Sequence, residues 1–204
     1  MTRSSPALDV AHLPTVAFTG RSPLWWGAVG LIAIEASMFA LFIASYFFLR
    51  MRVDVWPPPG VNVPRLFLPT VNLGIMILSC IPAYLASEAA KRSDPAGMKL
   101  WLLINILLAL ITVAIRWQVW NSLNYTGYSN AYGSIVFIIL GFHMFDYVAG
   151  ILASIVIVAA LLAGHAGEQV RKSVDFDSYT WYFVVAIWIP LYLVIFVSPL
   201  VPKR

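Results

Sequence analysis

The chain alternates between long apolar stretches and short polar connections. A helix rises about 1.5 Å per residue, so about 20 apolar residues cross the hydrocarbon core of a bilayer. This pattern predicts an all-α, five-helix membrane bundle, with helices at about residues 25–49, 66–87, 99–120, 131–163 and 179–201. The third apolar stretch is short, and Lys99 and Arg116 are expected to extend from its ends toward opposite membrane interfaces.

Composition supports a membrane protein built as one unit. Of the 204 residues, 61% are hydrophobic and 11% are charged, whereas soluble domains have roughly a quarter charged residues. We therefore expect a polar N-terminal tail at residues 1–24 and a single membrane domain at residues 25–201. The tail lacks the features of a secretory signal, so the first helix is predicted to remain as an anchor.

The basic residues are spread between the apolar stretches. This distribution indicates anchoring among lipid headgroups and does not favour nucleic acid binding. Five spans place the termini on opposite sides, with seven Lys and Arg on the side of the N-terminus and six on the other. Arg116 is one of the six, and the positive-inside rule does not separate the two counts.

Glu35 is the acid closest to the middle of a predicted span. It lies ten residues into the first helix, or about 15 Å along it. A charge at that depth costs on the order of 2.5–3.5 kcal/mol, so Glu35 is expected to face the interior, lose its charge or find a partner. Two functions remain open, a proton relay and a structural tie between helices.

His143 and Asp146 are predicted to lie on one face of the fourth helix, because they are three residues apart. They could share a hydrogen bond or an ion pair. A metal site would need further ligands, yet the other histidines, His12 and His165, fall in the tail and a loop. We therefore predict no metal, haem or other cofactor bound by this chain, and Cys80 is expected to be a packing residue.

Several ordered motifs resemble subunit III of the haem-copper cytochrome c oxidases, in its short bacterial form with five helices. The resemblance covers about residues 22–200. Its elements are the glutamate segment at 34–39, the aromatic run at 46–48, the proline-rich turn at 56–60, the Leu-Pro-x-x-Asn segment at 68–72, Tyr-Gly-Ser at 132–134, Gly-Phe-His at 141–143, and Trp181, Phe183, Val184 and Trp188.

The resemblance implies a subunit that carries no redox centre in a proton-pumping enzyme of aerobic respiration. Haem and copper would belong to the partner, subunit I, which subunit II would accompany, and phospholipid would bind between the helices. The protein would lie in the bacterial inner (plasma) membrane with its N-terminus cytoplasmic and its C-terminus external. Small residues of the fourth helix, Gly150, Ala153 and Ser154, are expected helix contacts.

The chain departs from the family pattern at three positions. Asp146 replaces a second histidine, Tyr182 replaces the histidine of a Trp-His-Phe segment, and Val185 replaces an acid. We therefore predict an interior polar cluster rebuilt around Glu35, His143, Asp146 and Tyr182. Its role would be proton relay or structural support, and no residue is expected to be catalytic.

Other functions remain open at the level of sequence. The chain could be a similar component of a quinol oxidase or an accessory protein of nitric oxide reductase. A small transporter that uses Glu35 as a proton carrier is a third possibility, although transporters commonly contain internal repeats and no repeat is evident here.

Overall fold

The computed structural model describes residues 23–62 and 65–201. Five helices account for most of these residues: α1 Pro23–Arg52, α2 Phe67–Lys91, α3 Pro95–Asn121, α4 Ala131–Leu162 and α5 Glu168–Tyr192. The last helix continues through a π-helical turn and a 3-10 turn to Leu200. All five are long and apolar enough to cross a membrane, which confirms the predicted all-α bundle of five spans. Residues 1–22, which include most of the predicted polar tail, lie outside the described residues.

Polar side chains at two loops explain where α3 and α4 begin. Asp94 precedes Pro95, and its Oδ1 accepts a hydrogen bond from the Ala96 N–H at 3.1 Å. Asn130 caps α4 in the same way, with 2.8 Å between its Oδ1 and the Gly133 nitrogen. Such caps satisfy backbone donors that have no partner in the first helical turn. The helix starts are thus fixed by residues that lie just outside the apolar stretches.

The fifth helix begins at Glu168, eleven residues before the predicted start at 179. Hydropathy placed the start too late because this first part carries several charges. Its inner face is nevertheless buried, including Val174, Asp177 and Ser178. The additional turns are held by contacts with neighbouring helices, which a hydropathy window does not register.

The bundle is well packed around α2, α4 and α5, and α1 lies at its side. In the described chain, α2 packs mainly on α3 and α5, whereas α1 packs on α4 and α5. In the most apolar part of α5, 44% of the residues are buried, whereas in that of α1 only 11% are buried. Most of the α1 surface is therefore available to lipid or to another protein chain.

The small residues of α4 meet α5 at two positions. Gly150 faces the Trp181 ring, and Ser154 donates a hydrogen bond of 2.8 Å to Asp177. Ala153 is exposed. Two of the three expected contact points are thus contacts within this chain.

The Tyr-Gly-Ser segment fastens the start of α4 to the loop before it. Tyr132 is fully buried, with its ring 5.0 Å from that of Trp56 and 5.4 Å from that of Tyr125. Ser134 donates a hydrogen bond of 2.6 Å to the Gly127 carbonyl. Gly133 lies between them, and a Cβ there would collide with the Thr126 carbonyl oxygen.

Gly133→Ala is therefore expected to destabilise the protein by about 1–2 kcal/mol, because a backbone atom must move to admit the methyl group. Gly74→Ala is the matched control, since nothing lies within 4 Å of a Cβ at that helical position. The control should be neutral or stabilised, by up to about 1 kcal/mol. Heating the detergent-solubilised protein and measuring the loss of helical circular dichroism compares the two. Equal stability of both variants would contradict the close contact at Gly133.

Candidate functional site

Arg116 of α3 lies at the centre of the polar interior. Arg116 is buried, with only 6% of its surface exposed. The guanidinium donates from Nε to Asn72 Oδ1 at 3.2 Å and from Nη2 to Met76 Sδ at 3.0 Å, and Nη1 lies 2.7 Å from His143 Nδ1. One cation therefore joins α2, α3 and α4.

Two aromatic rings complete the surroundings of this cation. The guanidinium carbon lies 3.7 Å from the centre of the Trp188 ring, in α5, and 5.3 Å from that of Tyr147, in α4. The negative face of an aromatic ring attracts a cation, and the attraction is larger where water is excluded. Arg116 of α3 thus contacts three other helices, α2, α4 and α5. We call Arg116, His143, Asn72, Met76 and Trp188 the arginine cluster.

This location corrects the expectation that Arg116 extends to the membrane interface. Arg116 is buried, whereas its neighbour Trp117 is 66% exposed on the outside of the bundle. The expectation was wrong because position near the end of an apolar stretch says nothing about the direction of a side chain. A guanidinium can stay inside when hydrogen-bond partners surround it.

His143 is fully buried and both of its ring nitrogens are engaged. A guanidinium has only donors, so Nδ1 accepts the hydrogen bond from Arg116. Nε2 then carries the proton and donates to the Val184 carbonyl at 2.9 Å. The imidazole is therefore neutral and links Arg116 to α5. The expected hydrogen bond or ion pair between His143 and Asp146 is wrong, because both imidazole nitrogens already have other partners.

Asp146 instead lies near Glu35. The two carboxyl groups, on α4 and α1, are close enough to interact electrostatically, and both residues are half-buried. The Oδ2 atom of Asp146 is buried and has no hydrogen-bond partner in the described part of the chain. Neither acid belongs to an ion pair among the described residues. Glu35 of α1 and Asp146 of α4 are thus near enough to influence each other electrostatically, on two helices that pack on each other.

Tyr182 lies in a different environment from the other three predicted site residues. It lines an apolar groove between α1 and α5, together with Trp25, Ala28, Ile32 and Phe183. No hydrogen bond or ring contact joins it to Glu35, His143 or Asp146 in the described chain. The four residues predicted as one cluster therefore occupy three places, and their roles remain predictions.

A second set of polar contacts was not predicted from the sequence. Asp177 is 4% exposed and accepts a hydrogen bond of 2.8 Å from Ser154. Ser178 donates to the Ala83 carbonyl at 3.0 Å, and the Trp181 indole donates to Ser79 at 2.9 Å. These bonds fasten α5 to α2 and α4. The available signal was the spacing of Asp175 and Ser178, which are three residues apart and therefore share the face of α5 that meets α2.

Possible metal ligands are dispersed. Within residues 23–62 and 65–201, no group of three or more His, Cys, Asp or Glu side chains could hold a metal ion. His143 uses both nitrogens in hydrogen bonds and His165 is exposed. His12 lies outside the described residues. The expected absence of a metal site on this chain stays a prediction.

These features define a polytopic membrane protein whose helices are tied together by a buried cation and by interhelical hydrogen bonds. The family model for cytochrome c oxidase subunit III matches residues 10–199. The chain therefore belongs to the cytochrome c oxidase subunit III family, and as such it is part of an oxidase complex.

Named bacterial relatives agree with this assignment. Cytochrome c oxidase subunit 3 of Thermostichus vulcanus is 29% identical over 172 residues, covering 84% of this chain and 85% of the relative. The probable cytochrome c oxidase subunit 3 of Mycobacterium bovis is 30% identical over 175 residues, covering 83% and 85%. Cytochrome c oxidase subunit 3 of Corynebacterium diphtheriae is 30% identical over 178 residues, which cover 83% of this chain and 85% of the relative.

Proposed function

We propose that this chain is a membrane subunit without a redox centre that packs against the haem- and copper-bearing subunit I of a cytochrome c oxidase. Subunit II would complete the core of the complex. In this role the chain supports proton uptake, binds phospholipid and stabilises the catalytic subunit. The observation that carries the proposal is that this chain leaves α1 largely uncovered, and that α1 holds the half-buried Glu35 close to the half-buried Asp146 of α4.

A pair of neighbouring carboxyl groups suits proton exchange better than electron transfer. Carboxyl groups inside a membrane protein commonly serve as proton relays, so one acid on each of two adjoining helices offers two sites between which a proton could pass. Their position at the α1–α4 contact puts that proton near the surface of the bundle. An adjoining subunit that covers α1 would therefore lie next to it.

The groove that contains Tyr182 supports the lipid-binding part of the proposal. It has a volume of about 350 Å³ and is lined almost entirely by apolar side chains of α1 and α5. Trp25 lies at the start of α1, the level where tryptophan commonly meets lipid headgroups. An acyl chain could therefore occupy the groove with its headgroup near Trp25.

The buried position of Arg116 also supports an orientation. Without Arg116, five basic residues remain on the side opposite the N-terminus, against seven on the N-terminal side. Basic residues are enriched on the cytoplasmic side of membrane proteins. We therefore propose that the N-terminus is cytoplasmic and the C-terminus external, in the bacterial inner membrane.

Glu35→Gln tests the role of the acid pair. We expect the initial oxygen consumption of the assembled oxidase to stay largely intact, while activity declines faster during turnover or proton uptake slows. The amide keeps the shape of the side chain but cannot release a proton. Oxygen consumption over time and proton uptake by the reconstituted complex measure the two effects.

Two further variants make this experiment specific. Asp146→Asn should act in the same direction if the acids function as a pair. Glu88→Gln is the matched control, because Glu88 pairs with Lys91 at the end of α2, away from α1. Immediate loss of nearly all activity in Glu35→Gln, with normal assembly and metal content, would contradict a supporting role.

A further inference from the structure

Asp177 of α5 is the most deeply buried acid of the described chain, with 4% of its surface exposed. It lies at the contact of α5 with α4, where its Oδ2 atom is 2.8 Å from the Ser154 hydroxyl oxygen. On either side of it along the helix, Val174, Ser178 and Trp181 are buried as well. The carboxyl group of Asp177 is therefore surrounded by protein and not by water.

Few hydrogen-bond donors reach this carboxyl group. Ser154 is its one side-chain donor in the described chain. Asp177 is the tenth residue of α5, counted from Glu168, so the backbone N–H groups around it are already bonded within the helix. A buried carboxylate is kept ionised when it accepts two or three hydrogen bonds. A single hydroxyl group provides less than that.

No positive charge balances Asp177 either. The ion pairs among the described residues join Lys91 to Glu88 and Lys172 to Glu168. The helices packed on α5 bring titratable side chains that include Glu35 from α1, Tyr84 and Lys91 from α2, and His143, Asp146 and Tyr147 from α4. None of these is a hydrogen-bond or charge partner of Asp177 in the described chain.

The other acid on this part of α5 differs in its surroundings. Asp175 is half-buried and accepts a hydrogen bond of 2.6 Å from Ser87 of α2. Asp177 is enclosed more completely, on the side of α4. A buried charge without a partner is costly, and an acid in that position can avoid the cost by holding a proton.

We propose that Asp177 is a proton-binding site, and that the neutral acid, hydrogen-bonded to Ser154, is the form that packs between α4 and α5. It holds its proton under conditions in which the exposed aspartate Asp94 is ionised. Removal of the proton places a charge at the contact of the two helices and weakens their packing. This inference does not depend on the proposed role in an oxidase.

Infrared spectroscopy provides the direct test, because the carbonyl stretch of a neutral carboxyl group is separate from the bands of a carboxylate. The spectrum of the full chain with Asp177→Asn, in detergent, is subtracted from that of the wild-type chain at about pH 6, roughly two units above the ordinary pKa of aspartate. We expect the difference to contain the band of one neutral carboxyl group. A difference that contains only carboxylate bands would overturn the proposal.

Asp94→Asn is the matched control. Asp94 is exposed, and asparagine at its position can still cap α3. The difference spectrum of this variant should contain carboxylate bands and no band of a neutral carboxyl group. A neutral band in the control as large as that of Asp177→Asn would count against the proposal, because the site would then not differ from an exposed acid.

Ser154→Ala keeps the test decisive where Asp177→Asn does not fold. This variant retains Asp177 and removes its hydrogen-bond donor, and a carbonyl group that loses a hydrogen bond absorbs at higher frequency. We expect the neutral band to remain and to move in that direction. A spectrum identical to that of the wild-type chain in this region would contradict the assignment of the band to Asp177.

The dependence of stability on pH supplies an independent test. A proton held by the folded chain but not by the unfolded chain makes folding less favourable as pH rises, by up to about tenfold in the equilibrium constant per pH unit. Above about pH 5, where an unfolded aspartate has released its proton, the wild-type chain should therefore lose stability relative to Asp177→Asn, whose amide does not titrate. The loss of helical circular dichroism on heating measures both proteins. Parallel pH profiles would overturn the proposal.

Discussion

Replacing His143 with alanine is expected to lower the free energy of unfolding by about 3–5 kcal/mol. The variant leaves the Arg116 guanidinium buried without its 2.7 Å hydrogen bond to the imidazole. A hydrogen bond to a charged group contributes about 1.5–3 kcal/mol, and the cavity left by the ring adds to the loss. The fraction of the chain retained in the solubilised complex on heating measures the effect.

Two further variants separate this mechanism from a general sensitivity to histidine replacement. His165→Ala changes an exposed histidine in a loop and should have little effect. The double variant Arg116→Met with His143→Leu should recover much of the stability, because replacing both partners by apolar side chains removes the buried charge as well. A double variant less stable than His143→Ala would contradict this account of the cluster.

Arg50→Ala is expected to cost about 2–3 kcal/mol, because Arg50 joins the ends of α1 and α5. Its guanidinium donates to the Ser198 hydroxyl and the Val201 carbonyl, each at 2.6 Å. A carbonyl just past the last helical turn has no partner within the helix, and hydrogen bonds from charged donors are among the stronger ones. Part of this site is exposed, so water reduces the loss. Thermal retention in the complex is again the measurement.

The neighbouring arginine provides the control for this second prediction. Arg52 is exposed and lies over the Phe48 ring, 4.9 Å from its centre. Exposed cation–π contacts contribute only about 0.5–1 kcal/mol, so Arg52→Ala should be close to the wild-type protein. If both variants lose the same stability, charge at the membrane interface explains the effect better than the contact with α5.

The number of helices could be predicted from sequence because hydropathy depends on composition over a long window. The same method missed the start of α5 at Glu168, since charged residues on its outer face lower the average while Val174 and Asp177 are buried on the inner face. Hydropathy therefore predicted the membrane spans well and the charged start of α5 poorly. The first turns of α3 and α4 are instead positioned by single capping residues, Asp94 and Asn130.

The site was harder to predict, because it depends on which way side chains point. His143 was identified correctly as an interior residue, yet it binds Arg116 across the bundle and not Asp146 one turn away. Arg116 was predicted to extend to the membrane interface, because no feature of the sequence shows which side chains it contacts. Asn72, from α2, is one such partner and is distant in sequence. Contacts between helices can be identified only when the packing of the helices is known.

Purification of a tagged chain in mild detergent tests the central claim most directly. We predict that a haem-copper catalytic subunit that accepts electrons from cytochrome c accompanies it, that the visible spectrum of the complex shows haem, and that this spectrum is absent once the chain is separated. Stoichiometric haem or copper bound by the separated chain, or co-purification with a quinol oxidase or a nitric oxide reductase, would contradict the proposed role.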